Sequence, residues 1–274
     1  MPFARPHIDP DEYPSRWRRL ALLPLIFAAG IVGTAEANAR MPATDACSVR
    51  TAAGERYTVC SFEPGTRFSV RLRDGGGAPF RRLSAATAAH PQAVFAMNGG
   101  MYHSDLDPVG LYVEEGHEVA PLQTRRSWGN FGMLPNGVFW VDGEGRAHVT
   151  ETLAFKARRE RGEARPRFAT QSGPMLVIDG RIHPRFLPRS DSRKVRNGVG
   201  VGRDGRVHFA ISHAPVNFWT FADLFQSTLD VPNALFLDGT VSALRAKGHS
   251  RGGFWKELGP IILAEPGAGQ EARD

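Results

Sequence analysis

Tight-turn dipeptides of the Asn-Gly, Asp-Gly and Glu-Gly kind recur between short apolar runs, and they restrict this chain to antiparallel β architecture. Glu115-Gly116 follows the strand-like run 110–113, while Asn136-Gly137 and Asp142-Gly143 bracket the apolar run 138–141. Asp179-Gly180 follows 175–178, and Asp204-Gly205 separates 198–201 from 207–211. A two-residue hairpin needs positive φ at its centre, which Gly adopts freely and Asn and Asp tolerate, so these dipeptides predict hairpins. Residues 68–72 alternate apolar and polar, as a half-buried strand does, before Asp74-Gly75-Gly76-Gly77 breaks the run. The compact apolar runs 93–97 and 234–237 read as buried strands. The first delivers Asn98-Gly99-Gly100 at its end and the second Asp238-Gly239. VIDGRIH, GRDGRVHF and WVDGEGRAHV share hairpin grammar, but no fixed period links them as in a solenoid or propeller.

Helical signal is scarcer. Residues 218–229 place Phe218, Phe221, Leu224 and Phe225 three and four apart, and Pro232 stops the pattern. The alanine-rich stretch 82–90, ended by Pro91, is a second candidate helix. Residues 156–167, rich in Arg and Glu and containing Pro166, read as a solvated excursion between hairpins. The expected fold class is α+β: a mostly antiparallel or mixed β-sheet built of hairpins, with a few packed helices, in a single domain.

The N-terminus reads as an export leader. Arg16, Arg18 and Arg19 precede the apolar run 20–32, and Ala37-Asn38-Ala39 closes the segment with a small-x-small tripeptide. That order matches a secretory signal peptide cleaved after Ala39. The apolar run is shorter than the roughly 20 residues of a spanning helix, and Pro24 and Gly30 interrupt it. Arg18-Arg19 also permits twin-arginine export. The chain therefore divides into a signal peptide at 1–39, a folded domain at 40–264 and a disordered tail at 265–274. A periplasmic or secreted location follows, with no stable membrane span after cleavage. Cys47 and Cys60, the two cysteines of the chain, fall just after the cleavage point. An even count in an exported chain suggests one disulfide; the alternative is a pair of buried thiols. No His or further Cys accompanies the pair at metal-ligand spacing.

The leader carries four basic residues (Arg5, Arg16, Arg18, Arg19) and four acidic ones (Asp9, Asp11, Glu12, Glu36), so the remainder keeps the whole net charge of +6. A mild basic excess suits an anionic substrate or surface. Nucleic acid is not expected, because no basic-aromatic stripe, zinc finger or helix-turn-helix pattern is present.

Four polar clusters sit at strand ends or glycine turns, where functional side chains tend to be placed. The first is Asn98-Gly99-Gly100-Met101-Tyr102, whose glycine amides are suited to cradling an anion. The second is Gln171-Ser172-Gly173-Pro174, with a tight turn as its plainer reading. The third is the basic run 189–198, in which Arg196 stands out at the entrance to an apolar strand, followed by Asn197. The fourth is Asp238-Gly239-Thr240-Val241-Ser242, where a carboxylate ends a buried strand as either a turn cap or a reacting group.

Taken in order, the blocks AMNGGMY, PVGLYVEEG, NFGMLPNGVFWV, QSGPMLVIDG, RNGVGV and NALFLDGTVS resemble the phosphodiester glycosidase family. The resemblance covers roughly residues 90–246 and is nearest to the bacterial exported branch. The family includes the uncovering enzyme, which removes N-acetylglucosamine from a sugar phosphodiester. Two departures weaken transfer of that sugar to this chain. Thr240 and Val241 stand where uncovering-type members tend to carry glycines, and Arg196-Asn197 stands where they tend to carry Arg-Thr.

What the resemblance implies is cleavage between an anomeric carbon and a phosphate oxygen in an anionic glycan or sugar-phosphate substrate. Asp238, Arg196 and Asn98 would carry the chemistry. Gly99, Gly100, Tyr102, Gln171, Ser172, Asn197, Thr240 and Ser242 would bind the substrate. In this assignment Arg196 takes the phosphate, with Asn98 and the Gly99 and Gly100 amides sharing the anion. Asp238 faces the anomeric carbon as electrostatic partner, nucleophile or base. Asp105, Asp107 and Glu114 are candidates for a second carboxylate, and His213 for an acid or base. His103 with Asp105 and Asp107 is a possible metal group, but no metal or cofactor is assigned. Two alternatives stand beside this reading: a glycan- or sugar-phosphate-binding protein without turnover, and a hydrolase of another phosphodiester. A serine esterase is disfavoured because no Gly-x-Ser-x-Gly elbow occurs.

Overall fold

A computed structural model describes residues 46–126, 129–253 and 256–267. The signal-peptide assignment lies outside the described residues. The opening strands are β1 (Cys47–Ala52), β2 (Glu55–Phe62) and β3 (Arg67–Arg71), followed by helix α1 (Leu83–Ala89) and β4 (Phe95–Asn98). Next come β5 (Tyr112–Glu114), β6 (His117–Ala120), β7 (Gly137–Asp142), β8 (Ala147–Glu151), helix α2 (Thr152–Glu160) and β9 (Pro166–Ser172). Then follow β10 (Met175–Ile178), β11 (Arg181–Ile182), β12 (Asn197–Val201), β13 (Val207–Ser212) and helix α3 (Phe218–Asp223), which runs into a π-helical turn at Leu224–Thr228. The last strands are β14 (Asn233–Asp238), β15 (Leu244–Ala246), β16 (His249–Arg251) and β17 (Ile261–Glu265).

These strands form three sheets, and every pairing between them is antiparallel. A seven-stranded sheet runs β1-β2-β13-β12-β14-β10-β11; two five-stranded sheets run β16-β15-β4-β17-β3 and β6-β5-β9-β7-β8. The chain is thus an α+β domain dominated by antiparallel sheet, as the turn pattern requires. One aromatic cluster ties the sheets together. Phe209 of β13 packs on Phe95 of β4 with ring centroids 4.8 Å apart and on Phe139 of β7 at 5.8 Å. Phe62 of β2 reaches Phe95 at 5.2 Å, and Phe68 of β3 reaches Phe139 at 6.3 Å. Full burial of each such ring contributes about 1.5–3 kcal/mol, so this cluster sets how the sheets are held.

Three expected hairpins form where the dipeptides stand. Glu115 and Gly116 both take positive φ between β5 and β6, as do Asp179 and Gly180 between β10 and β11. Gly205 takes φ 80° between β12 and β13. Two other dipeptides behave differently. Asn136-Gly137 is no turn: Asn136 is buried, Gly137 opens β7, and the Asn136 side chain bonds Phe131 O and Thr152 Oγ1. At Asp142-Gly143 the positive φ belongs to Gly145, because the Asp142 carboxylate gathers the Glu144 and Arg146 amides and moves the turn along.

The excursion expected at 156–167 is corrected. Residues Thr152–Glu160 are helix α2, capped by the Glu151 side chain on Ala154 N, and β9 already begins at Pro166. One buried ring, Phe155, packs edge-on against Trp140 at 5.6 Å, while Lys156 and Glu160 pair outside. A single apolar contact with solvated charges around it leaves little periodic signal in sequence. Glu265, expected to open the tail, instead ends β17 beside Arg67; residues 268–274 lie outside the described residues. Cys47 and Cys60 are bonded, and they stand directly opposite each other in the β1–β2 register. Among the described residues no helix is long and apolar enough to cross a membrane.

Candidate active site

Three strand ends from two sheets meet at one place. β4 ends on Asn98, β12 begins on Asn197 and β14 ends on Asp238, with Asn197 and Asp238 paired beside a bulge. Asn98 and Asn197 are fully buried, so their amides must find partners. Asn197 Nδ2 donates to Asn98 Oδ1 at 2.7 Å, and Asp238 N donates to Asn197 Oδ1 at 2.9 Å. Ala243 N donates to Asn98 Oδ1 at 2.8 Å, which fixes the start of β15 to the end of β4. Ser172 Oγ donates to Leu237 O at 2.7 Å, and Ser242 Oγ lies 2.9 Å from Asp238 O and 3.1 Å from Val195 O. These side chains brace the backbone under Asp238.

Several residues expected to touch substrate are spent on the scaffold. Gln171 uses its whole amide: Oε1 accepts from Leu111 N and Gln123 N, and Nε2 donates to Gln123 O and Thr152 Oγ1. Gly99 N donates to Pro260 O at 2.7 Å and Gly100 N to Thr170 Oγ1 at 3.0 Å, so the amide cradle expected of them is closed from within. A β-carbon on Gly100 would overlap Gln171 O and stand 2.5 Å from Thr170 Oγ1, which explains the glycine by close packing.

Arg196 is 1% exposed and lies behind the Asp238 turn. Its Nε donates to Val216 O and its Nη2 to Ser192 O, both at 2.9 Å, and its guanidinium sits 3.6 Å over the Phe218 ring. Nη1 is buried without a partner, as is Asn98 Nδ2. Burial lowers the Arg196 pKa to about 10, which still leaves it charged at neutral pH. Among the described residues no carboxylate pairs with it.

A cleft of about 900 Å³ opens beside Asp238. It is lined by Asp238, Tyr102, Thr240, Lys194, Lys256 and Glu257, among others. Asp238 is 8% exposed, and its Oδ1 accepts from Thr240 N at 2.6 Å and Val241 N at 3.4 Å. That leaves Oδ2 to meet a ligand. Tyr102 OH donates to Glu257 O at 2.8 Å. Burial, and then the Asp238 carboxylate, push the Tyr102 phenol well above its ordinary range, so it stays neutral.

The structure thus brings Asp238, Tyr102 and Thr240 to the cleft, and sets Asn98, Asn197, Ser172, Gln171 and Arg196 behind it. Of the second-carboxylate candidates, Asp105 caps Asp107 N, Asp107 pairs with Arg73, and Glu114 pairs with Arg71; none lines the cleft. Glu257, which the sequence did not mark, does line it and pairs with Arg81. Lys194 lay inside the basic run but was not distinguished there; Lys256 carried no signal at all. His103 reaches the cleft, whereas His213 Nε2 shares a hydrogen bond with Thr58 Oγ1 away from it. Among the described residues no group of three or more His, Cys, Asp or Glu side chains is placed to hold a metal ion.

Comparison with known proteins gives a consistent picture. A family described as phosphodiester glycosidase matches residues 91–256. The uncharacterized protein YigE of Escherichia coli (strain K12) is 37% identical over 212 residues, which cover 75% of this chain and 80% of YigE. A hypothetical protein from Synechocystis has a similar crystal structure, with a TM-score of 0.55 and 16% identity over 80% of this chain; the match spans 61% of that protein. The catalytic domain of zebrafish N-acetylglucosamine-1-phosphodiester alpha-N-acetylglucosaminidase, auto-inhibited by its pro-peptide, matches with a TM-score of 0.54 and 14% identity. That match covers 80% of this chain and 81% of the zebrafish domain. At such identities the two structures speak for the fold.

Proposed function

Because the chain belongs to the phosphodiester glycosidase family, we propose that it is an exported hydrolase cleaving a sugar C1–O–phosphate bond in an anionic glycan of the cell envelope. The observation that carries this reading is the Asp238 carboxylate, with one oxygen fixed by two loop amides and the other left to a cleft that also holds Lys194 and Lys256. Export is supported by the basic, apolar and small-residue order of residues 16–39 and by the Cys47–Cys60 bond.

The bond breaks between C1 and oxygen, and the electron pair stays on the phosphate. Positive charge therefore grows at the anomeric carbon in an oxocarbenium-like state. Asp238 opposes that charge through Oδ2. Its orientation is set beforehand by Thr240 N, Val241 N and the Asn197 brace, so no reorganisation is needed as charge develops. Lys194 and Lys256 offset the growing negative charge on the leaving phosphate. Water supplies hydroxide to C1 and a proton to the phosphate, giving a free sugar and a phosphate monoester.

The test is release of reducing sugar and phosphomonoester by the purified protein from a panel of sugar-1-phosphodiesters. Asp238→Asn should lower turnover about 10²–10³-fold, the usual scale for a preorganised electrostatic group. Sugar-phosphate binding with no release of either product would replace this reading with a binding protein. Release of a sugar-1-phosphate, a phosphomonoester without a reducing end, would point to a different phosphodiesterase.

A further inference from the structure

A smaller cavity of about 350 Å³ shares Thr240, Val241 and Lys256 with the cleft and extends from there to Gly239, Ser242 and Arg251. No Asp or Glu lines it among the described residues, whereas Arg251 and Lys256 do, beside Val195, Ile211 and Val241. Arg251 gives Nη2 to the His213 carbonyl at 2.9 Å and has no partner for its buried Nε. Arg196 approaches from beneath: a β-carbon on Gly239 would stand 3.6 Å from the unpartnered Nη1. The pKa of His213, whose carbonyl accepts from Arg251, is lowered by burial and then by Arg251, Arg56 and His249. Backbone shape supports the opening. Gly252 has φ 65°, and a β-carbon there would overlap Ser242 O, so the wall beside Arg251 is bare backbone.

Arg196 is a buried cation with no carboxylate paired to it among the described residues, and such a charge costs stability unless something offsets it. The Arg251 guanidinium and the Lys256 ammonium lining one cavity, with the Arg196 guanidinium behind its Gly239 wall and a carboxylate at the mouth of the neighbouring cleft, form a complement to a phosphoryl group. We propose that this cavity seats the phosphate of the substrate, with Arg251 and Lys256 binding the phosphoryl oxygens and Arg196 adding its charge from beneath Gly239. The inference rests on the phosphodiester reading above and names its phosphate site. It moves direct contact with phosphate from Arg196 to Arg251 and Lys256, and the shared wall at Thr240 and Val241 puts the scissile oxygen between this cavity and Asp238.

The experiment is calorimetric titration of the full chain with inorganic phosphate, alongside Arg251→Gln, Lys256→Gln and Asp238→Asn. Loss of one charged contact should weaken phosphate about 10- to 100-fold, whereas Asp238→Asn should leave phosphate affinity unchanged or improve it. Lys256 is exposed and lies outside every strand, so Lys256→Gln tests the site even if Arg251→Gln disturbs folding. On a turned-over phosphodiester, Arg251→Gln should raise KM more than it lowers kcat. Phosphate affinity that is lost in both variants, with no turnover from any substrate, would support the subsite and sink the hydrolase reading. Turnover whose KM and phosphate affinity ignore both variants would sink the subsite and leave the hydrolase reading intact.

Discussion

Asn197→Ala removes the side chain that connects all three strand ends at the site. Two short hydrogen bonds go with it, Nδ2 to Asn98 Oδ1 at 2.7 Å and Asp238 N to Oδ1 at 2.9 Å, besides two long contacts at 3.5 Å with Asn98 O and Ser242 Oγ. Asn98 Oδ1 keeps Ala243 N, so that acceptor remains satisfied. Asp238 N does not, and a buried donor left unmet costs about 1–3 kcal/mol. Adding about 1 kcal/mol for the other lost bond gives a destabilisation of about 2–4 kcal/mol. For a domain of this size each kcal/mol moves the melting temperature about 2–4 °C, so Tm should fall by about 4–16 °C. Activity should fall further than stability implies, measured well below the new Tm, because the Asp238 backbone loses its anchor and a carboxylate about 1 Å out of place costs on the order of 10²-fold. Asn197→Asp separates the two effects. It still accepts from Asp238 N but has no proton for Asn98 Oδ1, so it should keep the turn while destabilising the link between sheets. The assays are differential scanning calorimetry and steady-state kinetics on the same preparations. An Asn197→Ala protein that melts within a degree of the parent and turns over normally would refute the bracing argument.

Two further outcomes follow from charges the fold buries. The step in Arg196 from 12.5 to about 10 corresponds to a burial cost of about 3 kcal/mol, enough to offset much of its two backbone hydrogen bonds and its contact with Phe218. Arg196→Met should therefore shift Tm by only a few degrees while weakening phosphate binding in the same titration; a collapse of the fold would show that the guanidinium is structural. Asp142 is held at about 2, because hydrogen bonds from His148 and Arg146 outweigh the burial that would raise it. A carboxylate depressed in the folded state stabilises above its unfolded value of 3.8 and loses that contribution as pH falls through about 2. Parent and Asp142→Asn should thus differ in Tm at pH 6 and converge towards pH 2, and a constant gap across that range would contradict the assignment.

The hairpins were legible because their physics is local. Glu115-Gly116 and Asp179-Gly180 need only their own φ angles, and the sequence shows residues able to adopt them. The β1–β2 turn at Ala53-Gly54 was not marked, since alanine gives no hint of φ 49°. The site was legible as a set of places rather than of roles. Asn98, Gln171, Ser172 and Asn197 stand out because polar residues at the ends of apolar runs are unusual, yet whether such a residue braces or binds depends on what arrives opposite it. For Asn98 that neighbour is Asn197, 99 positions away. Ser172 is answered by Leu237, 65 positions away. Lys256 and Glu257 follow the opposite logic. They reach the cleft from an irregular segment after β16, where no periodicity or turn chemistry marks a residue as facing anything.

The pairing of Cys47 with Cys60 across β1 and β2 acts as a lock on strand register. Side chains alternate between faces along a strand, so a slip of β1 by one residue along β2 would point its sulfur away from its partner. Once closed, the covalent bond therefore excludes that slip and holds the hairpin to its native register. β2 is also the strand that β13 joins, and β13 carries β12 and β14 to the site. A molecule with both thiols free is one whose first hairpin lacks that lock, and a thiol-reactive probe would pick such molecules out of a mixed preparation.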